Sequence, residues 1–373
     1  MKVVAAIDSF KGSMTSMEAG NAVKKGILAA KPDAEVWLSP LADGGEGTVD
    51  ALIEGLGAKK IPVTVTGPLG EKVSCYYGFL EETKSAVMEM ASAAGITLVT
   101  KKDPLRASTY GVGEMIADAL KRGCKNFIIG IGGSATNDGG IGMLKALGFE
   151  FFDEDGNDVG EGAAALAKIE VIQTENKNPL LSGAKFQIAC DVKNPLCGKQ
   201  GATYIFGPQK GVTEEQKSKV DEAMKHYADV TKESLGCDFA DCEGAGAAGG
   251  LGYAFLSYLA GELIPGVELI LQATGLEEKM KNADVVVTGE GRLDAQTVMG
   301  KAPVGVAALA KKYNAKVIAF AGSVAPEASV CNQAGIDAFF PIVRGVTTLE
   351  EAMKKENAME NIAATAEQVF RLL

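Results

Sequence analysis

In several places a short apolar run of this sequence ends in residues able to do chemistry. Val3–Ile7 leads into Asp8-Ser9-Phe10-Lys11-Gly12, and Glu35–Leu41 into Ala42-Asp43-Gly44-Gly45-Glu46-Gly47-Thr48. Phe127–Ile131 leads into Gly132-Gly133-Ser134-Ala135-Thr136-Asn137-Asp138-Gly139-Gly140, Phe186–Cys190 into Asp191-Val192-Lys193-Asn194, and Asp284–Thr288 into Gly289-Glu290-Gly291-Arg292-Leu293-Asp294. In open α/β sheets, ligands bind where strands end at their carboxyl side, which is where each of these segments is expected. The residue types suit an anionic ligand. Glycines let the backbone approach it, and successive N–H groups leading into a helix can hold phosphate.

Particular residues divide the work. Lys11 can neutralise a carboxylate or a transferring phosphoryl group, and Asp8 can accept a hydroxyl proton. Asp191 is the other candidate base, and the sequence leaves the choice open. Gly132 and Gly133, with Ser134, Thr136 and Asn137 as short donors, form the first phosphate cradle. Gly289 and Gly291 form a second, with Arg292 as clamp and Lys301 as a further anion contact. Glu290 and Asp294 offer oxygen ligands of the kind magnesium prefers.

What the sequence lacks narrows the chemistry. It holds 1 histidine, His226, inside the Lys- and Glu-rich stretch 213–234 that reads as a solvated amphipathic helix. Ser-His-Asp and Cys-His systems and ordinary zinc sites are thereby disfavoured. There is no G-x-x-x-x-G-K-[ST] loop, and no H-R-D or D-F-G element. Gly244-Ala245-Gly246-Ala247-Ala248-Gly249 matches G-x-G-x-x-G, but the acidic Cys237–Glu243 before it is no strand. With 37 Lys and Arg against 48 Asp and Glu, the net charge of −11 opposes nucleic-acid and anionic-membrane binding. The 7 scattered cysteines contain no C-x-x-C pair, and no apolar stretch resembles a signal peptide or membrane span, so a cytoplasmic protein is expected.

These segments need elements to position them. The 373 residues suggest about two domains. The N-terminus alternates strand and helix, with Thr15 as cap of a helix reaching about Ala30. From Lys59 the pattern changes to an antiparallel hairpin, Ile61–Thr66 and Lys72–Leu80 around Gly67-Pro68-Leu69-Gly70. Helices are predicted near residues 111–121 and 140–147, with strands at Phe149–Phe152, Phe186–Asp191 and Ala202–Phe206. The αβ rhythm returns in Asp284–Thr288, Val304–Tyr313, Lys316–Ala321 and Ala338–Val343. The predicted fold class is α/β: a Rossmann-like doubly wound domain from about 1–60 and 264–373, interrupted by an inserted α/β domain over 61–263.

Four of these motifs, in this order and spacing, resemble the bacterial glycerate kinase family: Asp8–Ser13, Ala42–Thr48, Ile131–Gly140 and Thr288–Asp294. The resemblance spans essentially the whole chain. It implies transfer of the ATP γ-phosphoryl group to D-glycerate with Mg2+, in a cleft between a Rossmann-like domain and an inserted one, with 2-phosphoglycerate favoured over the 3-phosphate. On the matching positions, Ser9, Asp43 and Glu46 join Arg292 and Lys301 as expected substrate contacts, and Asp138 joins Glu290 and Asp294 at the metal. The competing readings are an NAD-dependent dehydrogenase of a small hydroxy acid and a non-catalytic hydroxy-acid sensor. Whether the chain forms a homo-oligomer is not set by the sequence.

Overall fold

In a computed structural model the chain is described at residues 1–41, 48–299 and 301–373. It divides into two compact units: residues 1–41 with Asp50–Gly57 and Val267–Leu373, and a second unit containing Ala58–Gly266.

The first unit is built on a five-stranded, wholly parallel sheet. Across it lie Ala338–Pro341, Lys316–Val324, Val285–Leu293, Lys2–Ile7 and Glu35–Pro40. Val3 to Ile7 are all buried, as a continuous apolar run covered on both faces must be. Val3, Ala5 and Ile7 share a core with Val23 and Ile27 of the helix Ser16–Ala30 and with Ile362 and Phe370 of the helix Lys355–Arg371. The helix Ala302–Lys311 packs on Val285–Leu293 and Lys316–Val324. Thr15 caps the first helix through a capping box, its side chain accepting the Glu18 N–H while the Glu18 carboxylate accepts the Thr15 N–H.

The strand order matters more than the strand count. The chain leaves Lys2–Ile7 toward one side to make Glu35–Pro40, and later makes Val285–Leu293 on the other side of that first strand. This is the reversal at which open α/β sheets form a crevice beyond their carboxyl ends. Val285–Leu293 runs further than expected. Gly289-Glu290-Gly291-Arg292-Leu293, read from sequence as a loop, continues the strand, with Gly289 opposite Phe320 and Leu293 opposite Val324.

The second unit carries a six-stranded mixed sheet. Lys59–Thr66, Lys72–Leu80 and Ser85–Glu89 are antiparallel neighbours, and Ser85–Glu89, Asn126–Gly130, Lys185–Ala189 and Glu262–Ile264 continue in parallel. The predicted hairpin is present, turning at Gly67–Gly70. Ala202–Phe206, read as a strand, instead opens the helix Ala202–Lys210. Gly201 enters it extended, Gly211 leaves it left-handed at φ 101°, and the buried Thr203, Gly207 and Lys210 recur at helical spacing. His226 lies on the helix Glu214–Leu235, partly exposed, its Nε2 2.7 Å from the Ile169 carbonyl oxygen. Gly244–Gly249 follows no strand, and Ala247–Gly249 is a short 3-10 turn. All 7 cysteines are free. Among the described residues no helix is long and apolar enough to cross a membrane.

The helices Ser16–Ala30 and Lys355–Arg371 approach closely at Gly26, where an added Cβ would lie 2.0 Å from the Ala363 carbonyl oxygen. Helix propensity alone favours alanine there by about 1 kcal/mol. Gly26→Ala is nevertheless expected to lower stability by about 1–3 kcal/mol through overpacking, read as a lower urea midpoint. An unchanged or higher midpoint would show that the helices do not meet at this glycine.

Candidate active site

In the first unit, the backbone N–H of Asp8 donates to the Gly289 carbonyl oxygen at 2.9 Å, so the end of the first strand is tied to its neighbour where the reversal occurs. Asp8 is 5% exposed, and its Oδ1 accepts the Ser9 N–H at 2.6 Å. Beyond it the chain folds back on itself. Phe10 N–H donates to the Met14 carbonyl at 2.9 Å, and both side chains are buried. Ser16 Oγ donates to the Ile7 carbonyl and accepts the Leu41 N–H at 2.9 Å, joining the ends of the first two strands. The segment carrying Ser9 and Lys11 is thus pinned at both ends by buried groups.

Across from it stands Glu290, 8% exposed. Its Oε1 accepts the Thr297 hydroxyl at 2.7 Å, and Lys301 Nζ lies 3.5 Å from Oε2. Burial pushes the Glu290 carboxyl up from its ordinary range, and the Thr297 hydroxyl and Lys301 ammonium pull it back. Asp294 holds the cations from behind: Arg292 Nε is 3.5 Å and Lys301 Nζ 4.0 Å from its oxygens. Together Asp8, Ser9, Lys11, Glu290, Gly291, Arg292 and Lys301 line a cavity of about 610 Å³. Its remaining wall includes the apolar Ile342, Val343, Leu349 and Met353. Ser13, which the sequence reading did not single out, also lines it, and its buried Oγ has no hydrogen-bond partner.

Gly289 has a different task from the one expected. An added Cβ there would meet the Phe320 carbonyl oxygen at 2.2 Å, so its glycine serves the close approach of two strands, and it does not line the cavity. Gly291 is the open one, with its nearest neighbour at 3.8 Å. Asp43 and Glu46 lie outside the described residues.

A smaller cavity, of about 200 Å³, lies within the second unit at the carboxyl ends of Asn126–Gly130 and Lys185–Ala189. Gly132, Gly133, Ser134 and Asp191 line it. The loop is held by backbone bonds: Ile96 N–H donates to the Gly133 carbonyl and Ala135 N–H to that of Ala94. Gly133 needs its left-handed φ of 72°. Gly132 does not have a φ in that region, and an added Cβ would meet nothing within 4 Å. Asp191 Oδ1 accepts the Gly266 N–H at 2.8 Å. Gln209 and Lys210, from the helix misread as a strand, complete the wall with Phe206. Lys210 is 2% exposed, with Nζ 2.7 Å from the Thr136 carbonyl oxygen. Burial lowers its ammonium to about 7, against the opposing attraction of Asp138.

Three residues of the glycine-rich loop do not reach this cavity. Thr136 and Asn137 are wholly buried, and Asn137 Nδ2 donates to Thr203 Oγ1 at 3.0 Å. Asp138, expected at a metal, is also wholly buried. Its Oδ2 accepts the N–H and the hydroxyl of Thr109, both at 2.8 Å, and the Gly142 N–H at 3.3 Å, while Oδ1 accepts the Gly140 N–H at 3.1 Å. Burial raises its carboxyl and these bonds oppose the rise. It is a latch between the loop and the helix Tyr110–Lys121.

Among the described residues no group of three or more His, Cys, Asp or Glu is clustered to cage a cation. Magnesium carried by a nucleotide needs no such cage, because one or two carboxylates plus phosphate oxygens and waters suffice. Asp8 and Glu290, all-oxygen donors on one cavity, fit that demand.

A model of the glycerate kinase family matches residues 3–373. The glycerate kinase of Bacillus subtilis (strain 168) is 45% identical over 371 residues, which cover 99% of this chain and 97% of that protein. The glycerate 2-kinase of Escherichia coli (strain K12) is 45% identical over 372 residues, 98% of each. A crystal structure from Salmonella typhimurium LT2, of a protein assigned as glycerate kinase 2, superposes with a TM-score of 0.91 at 44% identity, covering 99% of this chain and 97% of that one. With agreement of sequence and fold along its whole length, the chain belongs to the glycerate kinase family.

Proposed function

We propose that this protein transfers the γ-phosphoryl group of ATP to D-glycerate, with Mg2+, and that the product is 2-phosphoglycerate. The observation that carries this reading is the cavity at the strand reversal, where Asp8, Lys11, Glu290, Arg292 and Lys301 meet a largely apolar wall. A volume of about 610 Å³ suits a nucleotide, with its base against Ile342, Val343 and Leu349 and its phosphates toward the three cations. The choice of the 2-hydroxyl is supported by the relative named glycerate 2-kinase.

Phosphoryl transfer asks little covalent chemistry of a protein and much positioning. Lys11, Arg292 and Lys301 offset the repulsion between a triphosphate and an acidic chain. When bound, Mg2+ would draw charge from the phosphate oxygens, and Asp8 and Glu290 are the carboxylates proposed to hold it. The smaller cavity, lined by Gly132–Ser134, is proposed to hold an oxyanion on their amides, and its volume of about 200 Å³ suits a three-carbon acid or a single phosphoryl group. Asp191, on the same wall, is the proposed base for the acceptor hydroxyl. The dehydrogenase reading loses its support, since the G-x-G-x-x-G run at Gly244–Gly249 neither follows a strand nor opens a nucleotide-binding turn.

Incubation with D-glycerate, ATP and Mg2+ should release ADP only when glycerate is present, and phosphorus NMR should find the phosphate on the 2-oxygen. ATP left intact beside bound glycerate would favour a sensor. The paired variants Asp191→Asn and Asp8→Asn separate the acid roles. Asp191→Asn is expected to lower kcat by about 100-fold or more with KM for ATP nearly unchanged, whereas Asp8→Asn should also weaken MgATP. Equal effects on both parameters would defeat the assignment. Gly132→Ala should leave stability unchanged or up to about 1 kcal/mol higher while kcat/KM falls, because the new methyl enters only ligand space. Gly289→Ala should instead lose stability, by about 1–3 kcal/mol, and thermal melts beside initial rates distinguish the two.

A further inference from the structure

Lys210 is a lysine in an unusual position. Lysine is almost never fully buried unless paired, yet Lys210 is 2% exposed. Its ammonium has three N–H donors, and among the described residues its acceptor is a neutral one, the Thr136 carbonyl oxygen at 2.7 Å. A buried ammonium with donors to spare is costly, and the ordinary remedies are a bound anion or loss of the proton. Lys210 also lines the 200 Å³ cavity opposite the glycine-rich loop, so an anion has a route to it.

The surrounding groups explain why the cavity itself does not supply that anion. From the loop 131–140, Asp138 acts on Lys210 through its charge, but both its oxygens are occupied by Thr109, Gly140 and Gly142. Across the cavity, Asp191 accepts the Gly266 N–H and is not among the groups whose charge acts on Lys210, and burial pushes the neighbouring Cys190 thiol up, which keeps it neutral. The helix Glu214–Leu235 and the turn Ala247–Gly249 pack on Ala202–Lys210, and among their described residues none adds a charge that acts on Lys210.

We infer that Lys210 is an oxyanion-binding residue of the phosphoryl-transfer reaction, its amine taking a proton from solvent as a carboxylate or phosphoryl oxygen enters the cavity beside Gly132–Ser134. The step balances as R-NH2 plus H+ plus the ligand oxyanion giving an ammonium–oxyanion pair, with no bond of the ligand broken. The two sources of such an oxyanion, glycerate and the nucleotide, come from the reading in the preceding subsection. The burial-lowered ammonium, at about 7, sets the pH range. Below it the site is already charged and binding takes up little proton. Above it binding must bring the proton, so affinity falls toward tenfold per pH unit, or about 16-fold between pH 7 and 8.5.

The test is calorimetric titration of the whole protein with D-glycerate in one arm and Mg–AMPPNP in the other, at pH 6 and 8.5. Two buffers of different ionisation heat count the protons. One arm is expected to show uptake approaching one proton at pH 8.5 and near zero at pH 6, and that arm names the source. Lys210→Met should abolish the uptake and raise KM for the same ligand by roughly 30-fold or more while sparing the other ligand. Lys210→Arg, charged throughout, should bind without uptake and without the loss of affinity at high pH. No uptake in either arm of the wild-type protein overturns the inference even if Lys210→Met fails to fold. So does a Lys210→Met protein with unchanged KM values and unchanged uptake. Either result leaves the kinase reading intact, because that reading fails only if the wild-type protein makes no phosphoglycerate.

Discussion

The pairing of the first strand with Val285–Leu293 brings Asp8 and Lys11 beside Glu290 and Arg292. Val3 lies opposite Val285, residues separated by most of the chain. Closing so long a connection carries an entropic cost, although that cost grows only slowly with length. The pair is fastened at both ends. At the amino end, Lys2 N–H donates to Asp284 Oδ2 at 2.7 Å and Asp284 N–H to the Lys2 carbonyl at 2.9 Å. At the carboxyl end, Asp8 N–H reaches Gly289. Between them the side chains are buried on both faces, so a slip by one residue would exchange the side chains that pack in each layer. Register therefore fixes which residues face the cavity.

An acidic chain can still gather anions if its cations are concentrated and lightly committed. Arg292 is mostly exposed and 3.5 Å from Asp294, and Lys301 stands at 3.5 Å from Glu290 and 4.0 Å from Asp294. Pairs of such length contribute little to stability. They hold the cations at the cavity without binding them strongly, so an entering anion could exchange for a carboxylate at small cost. The net charge of −11 then acts as a filter at long range, and the local field governs at short range.

The parts of this fold that were legible in the sequence are those with local causes. The capping box at Thr15 and Glu18, the turn Gly67–Gly70 and the apolar parallel strands announce themselves within a few residues. The same is true of Asp8, Lys11, Glu290, Gly291 and Arg292, which follow apolar runs and share one cavity with Lys301. What escaped has distant causes. Gly289–Leu293 looks like a loop because of its glycines, yet Lys316–Val324 supplies the partner that keeps it extended. Ala202–Phe206 is short and rich in β-branched and aromatic residues like a strand, and only the helical recurrence of Thr203, Gly207 and Lys210 shows otherwise. Lys210 itself carries no local mark, since its meaning lies in burial against Thr136, far away in sequence.

Burial by itself does not separate a carboxylate open to a ligand from a purely structural one, as Asp138 and Glu290 demonstrate. Both are buried, and burial raises the carboxyl of each. The difference lies in how much of their hydrogen-bonding capacity is used. An ionised carboxylate offers about four lone-pair sites. Asp138 fills them with three backbone N–H groups and a hydroxyl, and it lines neither cavity. Glu290 accepts one hydroxyl and a long contact from a lysine, and it faces the larger cavity. A group whose acceptor sites are full can hold a loop but has nothing left for a ligand. The glycine-rich loop therefore needs Asp138 for its shape, whereas Glu290 keeps acceptor capacity that a ligand in the cavity could use.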